Sequence, residues 1–375
     1  FVASDVRTFA FACSPDYAWE AVGAEVADPR GGTRRVLCQS FYPPSVAELW
    51  GGSARMVRHA VEFYSGFFGL AYPYPQMSNT YGVEYGMEYP QIIFCQVDPG
   101  DSGHDETPAE ALFGVVDHEV GHTWFPMVVN SDERRHPWMD EGFNTFANFY
   151  SWNAWAAGVG GRGDGAEGKG SEGFGLRELA DFAGEIAGEM SYLRHPPILT
   201  PPDRVPGWDA VGHLAYGKPA YGLILLREYI LGPERFDDAF RRYVRAWAFA
   251  SPQPADFFRA IENASGEDLA WFWRGWFAGT GAIDLAVARV HSGAGDATAI
   301  FRDLGGIPMP VEYRVTYDDG TTEDRRLPVE AWHATDMFIA RWETGARRVE
   351  RLEIDPRGVL PDVDRANNAW SASRR

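Results

Sequence analysis

The residues best suited to chemistry in this 375-residue chain form the run HEVGH at positions 118–122. His118 and His122 stand four positions apart, so on a helix they differ by about 40° around the axis and both imidazoles can reach one metal ion. Glu119 lies on the adjoining flank, where its carboxylate can hold a water molecule at the metal without binding the metal itself. The chemistry that this spacing predicts is zinc-dependent hydrolysis with Glu119 as the general base.

A third ligand follows in the run WMDEGF at positions 138–143. A catalytic zinc ion needs three protein ligands and one open coordination position, and Glu141 completes a His, His, Glu set. A third-histidine pattern is absent, because Phe125 and Val128 occupy the positions that it assigns to Gly and His. The alternative interpretation is an amphipathic helix that carries two solvated histidines.

Two polar residues flank the third ligand. Asp140 and Asn144 are candidates to hydrogen-bond the ligand imidazoles, since metal-bound histidines usually have partners of this kind. Each of them could equally cap a helix or face solvent, and the sequence leaves these alternatives open.

Helical periodicity surrounds these residues and is needed to position them. Ser45, with Glu48 three positions later, predicts a helix N-cap, and apolar residues from Met56 to Phe68 recur at helical spacing. These patterns predict a mainly helical region from about residue 45 to about residue 279. Its clearest further segments are residues 223–231, 236–249, 254–262 and 269–277.

Strand patterns lie on both sides of the helical region. Residues 6–12 and 18–26 carry β-type side chains ahead of a turn at 28–32. After Gly281, apolar and polar residues alternate, which is typical of strands with one buried face. The segments 311–317 and 321–327 predict a hairpin and, with 339–342 and 349–354, a small antiparallel sandwich.

One segment interrupts the helical region. Glycine makes up half of residues 158–175, and the rest of the segment is largely charged or small. Such a composition cannot bury enough apolar surface to offset chain entropy, so it predicts a flexible surface loop. Its Arg-Gly-Asp tripeptide, residues 162–164, is interpreted as a chance occurrence in a glycine-rich run.

Composition excludes several classes of protein. Asp and Glu total 53 against 34 Lys and Arg, and this net charge of −19 argues against nucleic acid or an anionic membrane surface as partner. No run approaches the ~20 apolar residues of a membrane helix, so we expect no membrane insertion. Cys13, Cys38 and Cys95 lack the spacing of a disulfide framework or a zinc knuckle.

The order of the motifs resembles that of the aminopeptidase N and leukotriene hydrolase family of zinc peptidases, which are gluzincin metallopeptidases. In that family H-E-x-x-H is followed by Glu within W-x-x-E-G-F, as Glu141 is here. Residues 85–89, YGMEY, resemble its G-A-M-E-N loop, and residues 216–219, YGKP, resemble its Y-x-K-G/P segment. Residues 256–258 and 271–277 resemble the helices that close its catalytic domain.

This resemblance implies an α+β fold with three parts. Residues 1–40 would be a remnant of an N-terminal β domain, most of which is missing. Residues 41–280 would form a mainly helical, thermolysin-like zinc peptidase domain. Residues 281–375 would form a small antiparallel β-sandwich domain.

The resemblance also implies the roles of the central residues. His118, His122 and Glu141 would bind one Zn²⁺ per chain, which would lower the pKa of a bound water molecule to about 7. Glu119 would take the proton of that water and deliver it to the leaving amine. Tyr216 would donate its hydroxyl to the oxyanion of the tetrahedral intermediate; Tyr221 and Tyr229 lie in the same region but outside the Y-x-K context.

The loop at 85–89 is implied to bind the substrate. Glu88 would accept hydrogen bonds from the substrate α-ammonium, with Gly86 and Met87 beside it on the strip where the substrate backbone lies. Glu84 is near enough in sequence to be an alternative to Glu88. The chain departs from the family pattern at both ends of the run, with Tyr where Gly and Asn are usual.

These residues predict a zinc aminopeptidase that hydrolyses the N-terminal peptide bond of peptides with a free α-amine. The alternatives are a non-catalytic scaffold on the same fold and a zinc hydrolase of a non-peptide substrate such as a lipid epoxide. The chain begins with Phe1 and no initiating Met, so we expect its true N-terminus to lie outside the sequence. Cytoplasmic, periplasmic and secreted locations, and the oligomeric state, stay open.

Overall fold

A computed structural model describes residues 2–82, 84–101, 106–158, 174–192, 195–293 and 295–372. The glycine-rich loop expected at 158–175 lies outside the described residues except at its two ends. By packing, the chain divides into two compact units. The first unit combines Phe1–Arg177 with Glu234–Ser265, and the second combines Glu178–Pro233 with Gly266–Arg375. The domain boundaries expected near residues 40 and 280 stay a prediction.

The helices follow the predicted apolar periodicity. They are α1 (Ala47–Trp50), α2 (Ser53–Phe67), α3 (Pro108–Gly121), α4 (Glu141–Ala156), α5 (Leu179–Tyr192), α6 (Trp208–Gly212), α7 (Lys218–Leu225), α8 (Pro233–Trp247), α9 (Pro254–Ser265) and α10 (Ala270–Phe272). The N-cap expected at Ser45 is wrong, because Pro44–Val46 form a short 3-10 turn and the Ser45 side chain caps nothing. None of the described helices is long and apolar enough to cross a membrane.

The strands of the first unit form one five-stranded sheet. They are β1 (Ala18–Ala27), β2 (Thr33–Tyr42), β3 (Gln76–Tyr81), β4 (Gly86–Tyr89) and β5 (Ile92–Cys95), in the spatial order β1-β2-β3-β5-β4. The outer pairs β1–β2 and β4–β5 are antiparallel, whereas β2–β3 and β3–β5 are parallel. The GMEY segment of the predicted substrate loop is therefore the edge strand β4.

One strand expected near the N-terminus is wrong. Residues 18–26 lie within β1 as predicted, but residues 6–12 pair with no described strand. Phe9 and Phe11 in that segment are exposed. Strand propensity reflects packing against neighbouring strands more than an intrinsic backbone preference, and this segment has no such neighbour.

An aromatic core joins α2, α4, α8 and α9. The rings of Phe125 and Phe143 lie 4.9 Å apart, and those of Phe143 and Phe257 lie 4.8 Å apart. Phe240 of α8 contacts all three of these rings. Close packing of this kind resists displacement of any member, so it fixes α4 relative to the segment that follows α3.

The second unit contains the antiparallel sheets that the sequence predicts. Its strands are β6 (Leu285–Ser292), β7 (Asp296–Asp303), β8 (Val311–Tyr317), β9 (Thr322–Leu327), β10 (Met337–Glu343), β11 (Val349–Ile354) and β12 (Ala369–Ser371). They form a three-stranded sheet, β10-β7-β6, and a four-stranded sheet, β12-β11-β8-β9. Phe301 of β7 packs 4.9 Å from Tyr313 of β8, so the two sheets share a core. The α+β fold class is confirmed.

Candidate active site

The helix that carries HEVGH begins at a defined position. Thr107 caps α3 by accepting a hydrogen bond from the Glu110 backbone N–H, and the Glu110 carboxylate accepts one from the Thr107 N–H. This reciprocal capping box satisfies two backbone donors that the first turn of a helix leaves unpaired. Apolar side chains along α3 are buried, so the helix lies inside the unit with His118 and Glu119 in its last turn.

Three ligand atoms converge where α3 ends and α4 begins. The Nε2 atoms of His118 and His122 lie 3.0 Å apart. Glu141 Oε2 lies 3.1 Å from the first and 3.4 Å from the second. Glu141 is the first residue of α4, and the preceding Trp138 is buried against Phe143. The His, His, Glu set predicted from the sequence is therefore brought together within one unit.

Contacts at the Nδ1 atoms, on the side of each ring away from the ligand set, orient the two imidazoles. His118 Nδ1 lies 2.8 Å from Asn148 Oδ1. His122 Nδ1 donates to the carbonyl oxygen of Phe125 at 2.8 Å and also lies 2.8 Å from Asp140 Oδ1. A neutral imidazole carries one N–H, and these contacts favour its position on Nδ1. In that form each Nε2 lone pair is directed toward the other imidazole and Glu141.

This donor set fits a divalent metal ion. Two imidazole nitrogens and one carboxylate oxygen this close together need a positive charge among them. In the metal-free protein the imidazoles can supply it, because, against the effect of burial, Asp140 and Glu141 raise the pKa of His122 and Glu141 raises the pKa of His118. A bound divalent metal ion would supply it instead. Three N and O donors of these types are the protein ligands of a catalytic zinc site, and the hydrogen bonds at Nδ1 are the partners that such histidines usually have.

Asp140 lies beside His122 as an ion-pair partner, while the hydrogen bond of His122 Nδ1 goes to the Phe125 carbonyl. Asn144 donates to the backbone carbonyl of His118 and not to an imidazole.

Glu119 is buried beside the ligand set. Its Oε2 has no hydrogen-bond partner among the described residues. Burial raises the pKa of Glu119 to about 7, with His118 and His122 opposing the shift and Glu88 adding to it. By contrast, His122 and His118 outweigh the effect of burial at Glu141 and hold the pKa of that carboxyl below its usual range. One carboxylate is thus suited to carry a proton and the other to remain charged.

The edge strand β4 approaches the ligand set along one face. A Cβ on Gly86 would lie 2.1 Å from Glu119 Oε1, so a larger residue there would displace the Glu119 carboxylate from its position. Glu88 lies two positions after Gly86 on the same strand. One of its carboxylate oxygens lies within 4.8 Å of both a His122 ring nitrogen and an Asp140 oxygen. Because side chains alternate along a strand, Met87 points to the opposite face, beside Phe94 of β5.

Tyr216 belongs to the second unit. It lies in the π-helical turn His213–Gly217 ahead of α7, and its side chain is 38% exposed. Tyr221 and Tyr229 are buried, and their hydroxyls donate to the backbone carbonyls of Val359 and Pro310. Of these three tyrosines, Tyr216 alone presents an exposed side chain.

Sequence reasoning missed the residues that support the ligands from a distance. Asn148 contacts His118, and its partners Tyr64 and Asp117 lie on α2 and α3. Burial raises the pKa of Asp117 to about 6, although hydrogen bonds from Ser151 and Tyr64 oppose the shift. The seven-residue interval from Glu141 to Asn148, which places both on one face of α4, is the signal that could have found Asn148.

Comparison with known proteins identifies the chain. The peptidase family M1 domain matches residues 53–276, which is more than half of the sequence. The chain belongs to peptidase family M1. This M1 chain is 24% identical to tricorn protease-interacting factor F2 of Thermoplasma volcanium over 62% of its own length and 29% of that protein. It is also 24% identical to mitochondrial aminopeptidase 2 of Saccharomyces cerevisiae over 64% of its length and 25% of that protein.

The fold comparison agrees with the family. Aminopeptidase A of Legionella pneumophila, solved in complex with aspartic acid, superimposes with a TM-score of 0.66 at 15% identity. The superposition covers 92% of this M1 chain and 38% of that structure. The chain spans about a quarter of the length of the two relatives named above.

Two glycines of α3, the helix that carries His118, allow a test of how tightly this helix is packed. A Cβ on Gly121 would lie 2.0 Å from Asn144 Oδ1, whereas a Cβ on Gly114 would have no neighbour closer than 4.0 Å. We expect Gly121→Ala to destabilise the metal-free protein by about 1–3 kcal/mol through overpacking. Gly114→Ala should stabilise it by about 0.5–1 kcal/mol, the usual gain in a helix interior. Denaturant unfolding measures both, and equal stabilisation by the two variants would contradict this packing.

Proposed function

We propose that this chain is a zinc-dependent aminopeptidase that hydrolyses the N-terminal peptide bond of peptides carrying a free α-amine. The observation that carries the proposal is the convergence of His118, His122 and Glu141 beside two further carboxylates, Glu119 and Glu88. Membership of peptidase family M1 and similarity to aminopeptidases support the same activity.

Zinc held by His118, His122 and Glu141 would supply Lewis acidity to the substrate carbonyl and to a water molecule. Glu119 would take a proton from that water and pass it to the leaving amine. Its buried carboxylate, with a pKa of about 7, is suited to both transfers near neutral pH. Gly86 leaves the space in which this carboxylate lies against the edge strand.

Free-amine selectivity would come from the excess of carboxylates. Glu88, Glu119 and Asp140 lie close to the two ligand imidazoles in addition to Glu141, so the site offers carboxylates beyond the one assigned to the metal. A substrate ammonium adds one positive charge, and a carboxylate compensates a buried ammonium by a charge-assisted hydrogen bond. Glu88 at the edge strand would accept that bond, with the substrate backbone extended along β4.

Tyr216 would stabilise the oxyanion of the tetrahedral intermediate through its hydroxyl. Its Y-x-K context and its exposed side chain favour this role over Tyr221, whose hydroxyl is committed to a backbone carbonyl. A donor of this kind contributes roughly 10²–10³ to turnover, or about 3–4 kcal/mol.

The general-base role of Glu119 can be separated from metal binding. Glu119→Gln should keep zinc, because no ligand is removed, and should lose turnover by a factor of about 10²–10⁴. His122→Ala should instead lose zinc. Amino-acyl anilide hydrolysis and metal analysis on the same samples provide the two readouts. Retention of more than about a hundredth of the activity in Glu119→Gln would refute the assignment.

The amine-binding role of Glu88 predicts a dependence on substrate charge. Free-amine peptides should be cleaved at least about tenfold better than their N-acetylated counterparts, because acetylation leaves Glu88 desolvated without a partner at about 1–3 kcal/mol. Glu88→Ala should largely erase this difference. Glu84→Ala, at an exposed carboxylate of the same loop, should preserve it. Equal cleavage of both substrates by the unmodified protein would exclude an aminopeptidase while leaving a zinc hydrolase intact.

The role of Tyr216 predicts a specific kinetic change. Tyr216→Phe should lower kcat roughly 10²–10³-fold with little effect on KM, because the hydroxyl acts only when the oxyanion develops. Tyr221→Phe, which removes a buried hydrogen bond, should reduce stability and leave kcat near normal. Steady-state kinetics and thermal unfolding distinguish the two variants. A near-normal kcat in Tyr216→Phe would move the role to another residue.

A further inference from the structure

A chain of hydrogen bonds extends from His118 away from the metal-ligand cluster into the core of the first unit. Asn148 Oδ1 faces His118 Nδ1 at 2.8 Å, and Asn148 Nδ2 lies 2.7 Å from the Tyr64 hydroxyl. The Tyr64 hydroxyl donates to Asp117 Oδ2 at 2.6 Å, and the Ser151 hydroxyl donates to Asp117 Oδ1 at 2.6 Å. We call Tyr64, Asp117, Asn148 and Ser151 the Asp117 network.

The direction of each bond in the network follows from Asp117. An ionised carboxylate only accepts hydrogen bonds, so the Tyr64 hydroxyl must donate to it and can accept only from elsewhere. Asn148 Nδ2 faces two acceptors, the Tyr64 oxygen at 2.7 Å and Asp117 Oδ2 at 3.4 Å. The amide group of Asn148 is thereby held with its oxygen toward His118.

The amide oxygen in turn selects the His118 tautomer. An oxygen at 2.8 Å from Nδ1 favours a proton on Nδ1, and in the neutral imidazole this leaves the Nε2 lone pair directed at His122 and Glu141. The opposite tautomer has a competing partner, because an Nε2–H could donate to Glu141 Oε2 at 3.1 Å. That tautomer would occupy the nitrogen that a metal needs. Before any metal is bound, the Asp117 network must therefore disfavour the His118 tautomer that is protonated on Nε2.

We propose that Asp117 is a positioning residue that acts through Asn148 to hold His118 in the metal-binding tautomer. Asp117 and Tyr64 are both buried, so water does not readily replace the two hydroxyl donors of the carboxylate. The proposal rests on the metal-ligand role of His118 in the proposed function.

Zinc affinity, measured by competition with a chelator at pH 8, tests this role with a matched control. Asp117→Ala should weaken zinc binding at least about tenfold, which is the usual cost of losing support behind a histidine ligand. Ser151→Ala is the matched control. It removes the hydrogen bond to Asp117 Oδ1, whereas Tyr64 and Asn148 contact Oδ2, so zinc affinity should stay within about twofold. An affinity within twofold of the unmodified protein in Asp117→Ala would overturn the proposal.

A second substitution that restores zinc affinity distinguishes a positioning role of Asp117 from a merely structural one. In the background of Asp117→Ala, Asn148→Asp places a carboxylate directly behind His118 Nδ1 and should restore zinc affinity to within about threefold. Failure of the restoration would show that the loss came from packing and would overturn the proposal. If Asp117→Ala does not fold, Asn148→Leu, on the half-buried side of α4, should show the same loss of affinity, and an unchanged affinity there would overturn the proposal equally.

The tautomer itself can be observed without metal or substrate. Nitrogen NMR of the histidines in the metal-free protein should show His118 protonated on Nδ1, and Asp117→Ala should shift the proton toward Nε2. Protonation on Nε2 in the unmodified protein would overturn the proposal. If the zinc-affinity and tautomer measurements give the expected results but the protein has no peptidase activity, only the proposed function is rejected.

Discussion

The two imidazole Nε2 atoms and one carboxylate oxygen of the ligand set lie within 3.4 Å of one another. Residues throughout the first unit are needed to hold these atoms together. Each of the three side chains is held in place by contacts behind it. The capping box fixes where α3 begins, the Phe125 carbonyl and Asn148 hold the imidazoles, and the aromatic core fixes the start of α4. The support is distributed over helices far apart in sequence, whereas the ligands lie in two short runs.

This distribution explains how much the sequence could predict. His118, His122 and Glu141 come from patterns with a fixed spacing, and the helical period alone places the two histidines together. The contact of Gly86 with Glu119 joins two elements and is not visible in the YGMEY run, and the only sequence signal for Asn148 is its seven-residue interval from Glu141. Tyr64 reaches the site from α2, a helix whose apolar spacing indicates only that it is buried. The supporting residues therefore emerge from the packing and not from the motif.

The errors of sequence reasoning have different origins. Residues 6–12 have the composition of a strand, but a strand requires a neighbour, and none of the described strands pairs with them. Ser45 has the spacing of an N-cap, but the prolines before it lead into a 3-10 turn. The hairpin at 311–327 was predictable because its turn and its alternation are both local. The strand at 6–12 thus failed for want of a partner element, whereas the N-cap at Ser45 failed for a local reason, the neighbouring prolines.

The central claim is that one metal ion is held by His118, His122 and Glu141. Crystals of the zinc-loaded protein, measured on both sides of the zinc absorption edge, test it directly. We expect a single anomalous peak per chain, about 2.0–2.1 Å from Nε2 of each histidine and about 2.0–2.2 Å from a Glu141 carboxylate oxygen. A peak bound through other residues, or no peak at the ends of α3 and α4, would contradict the account.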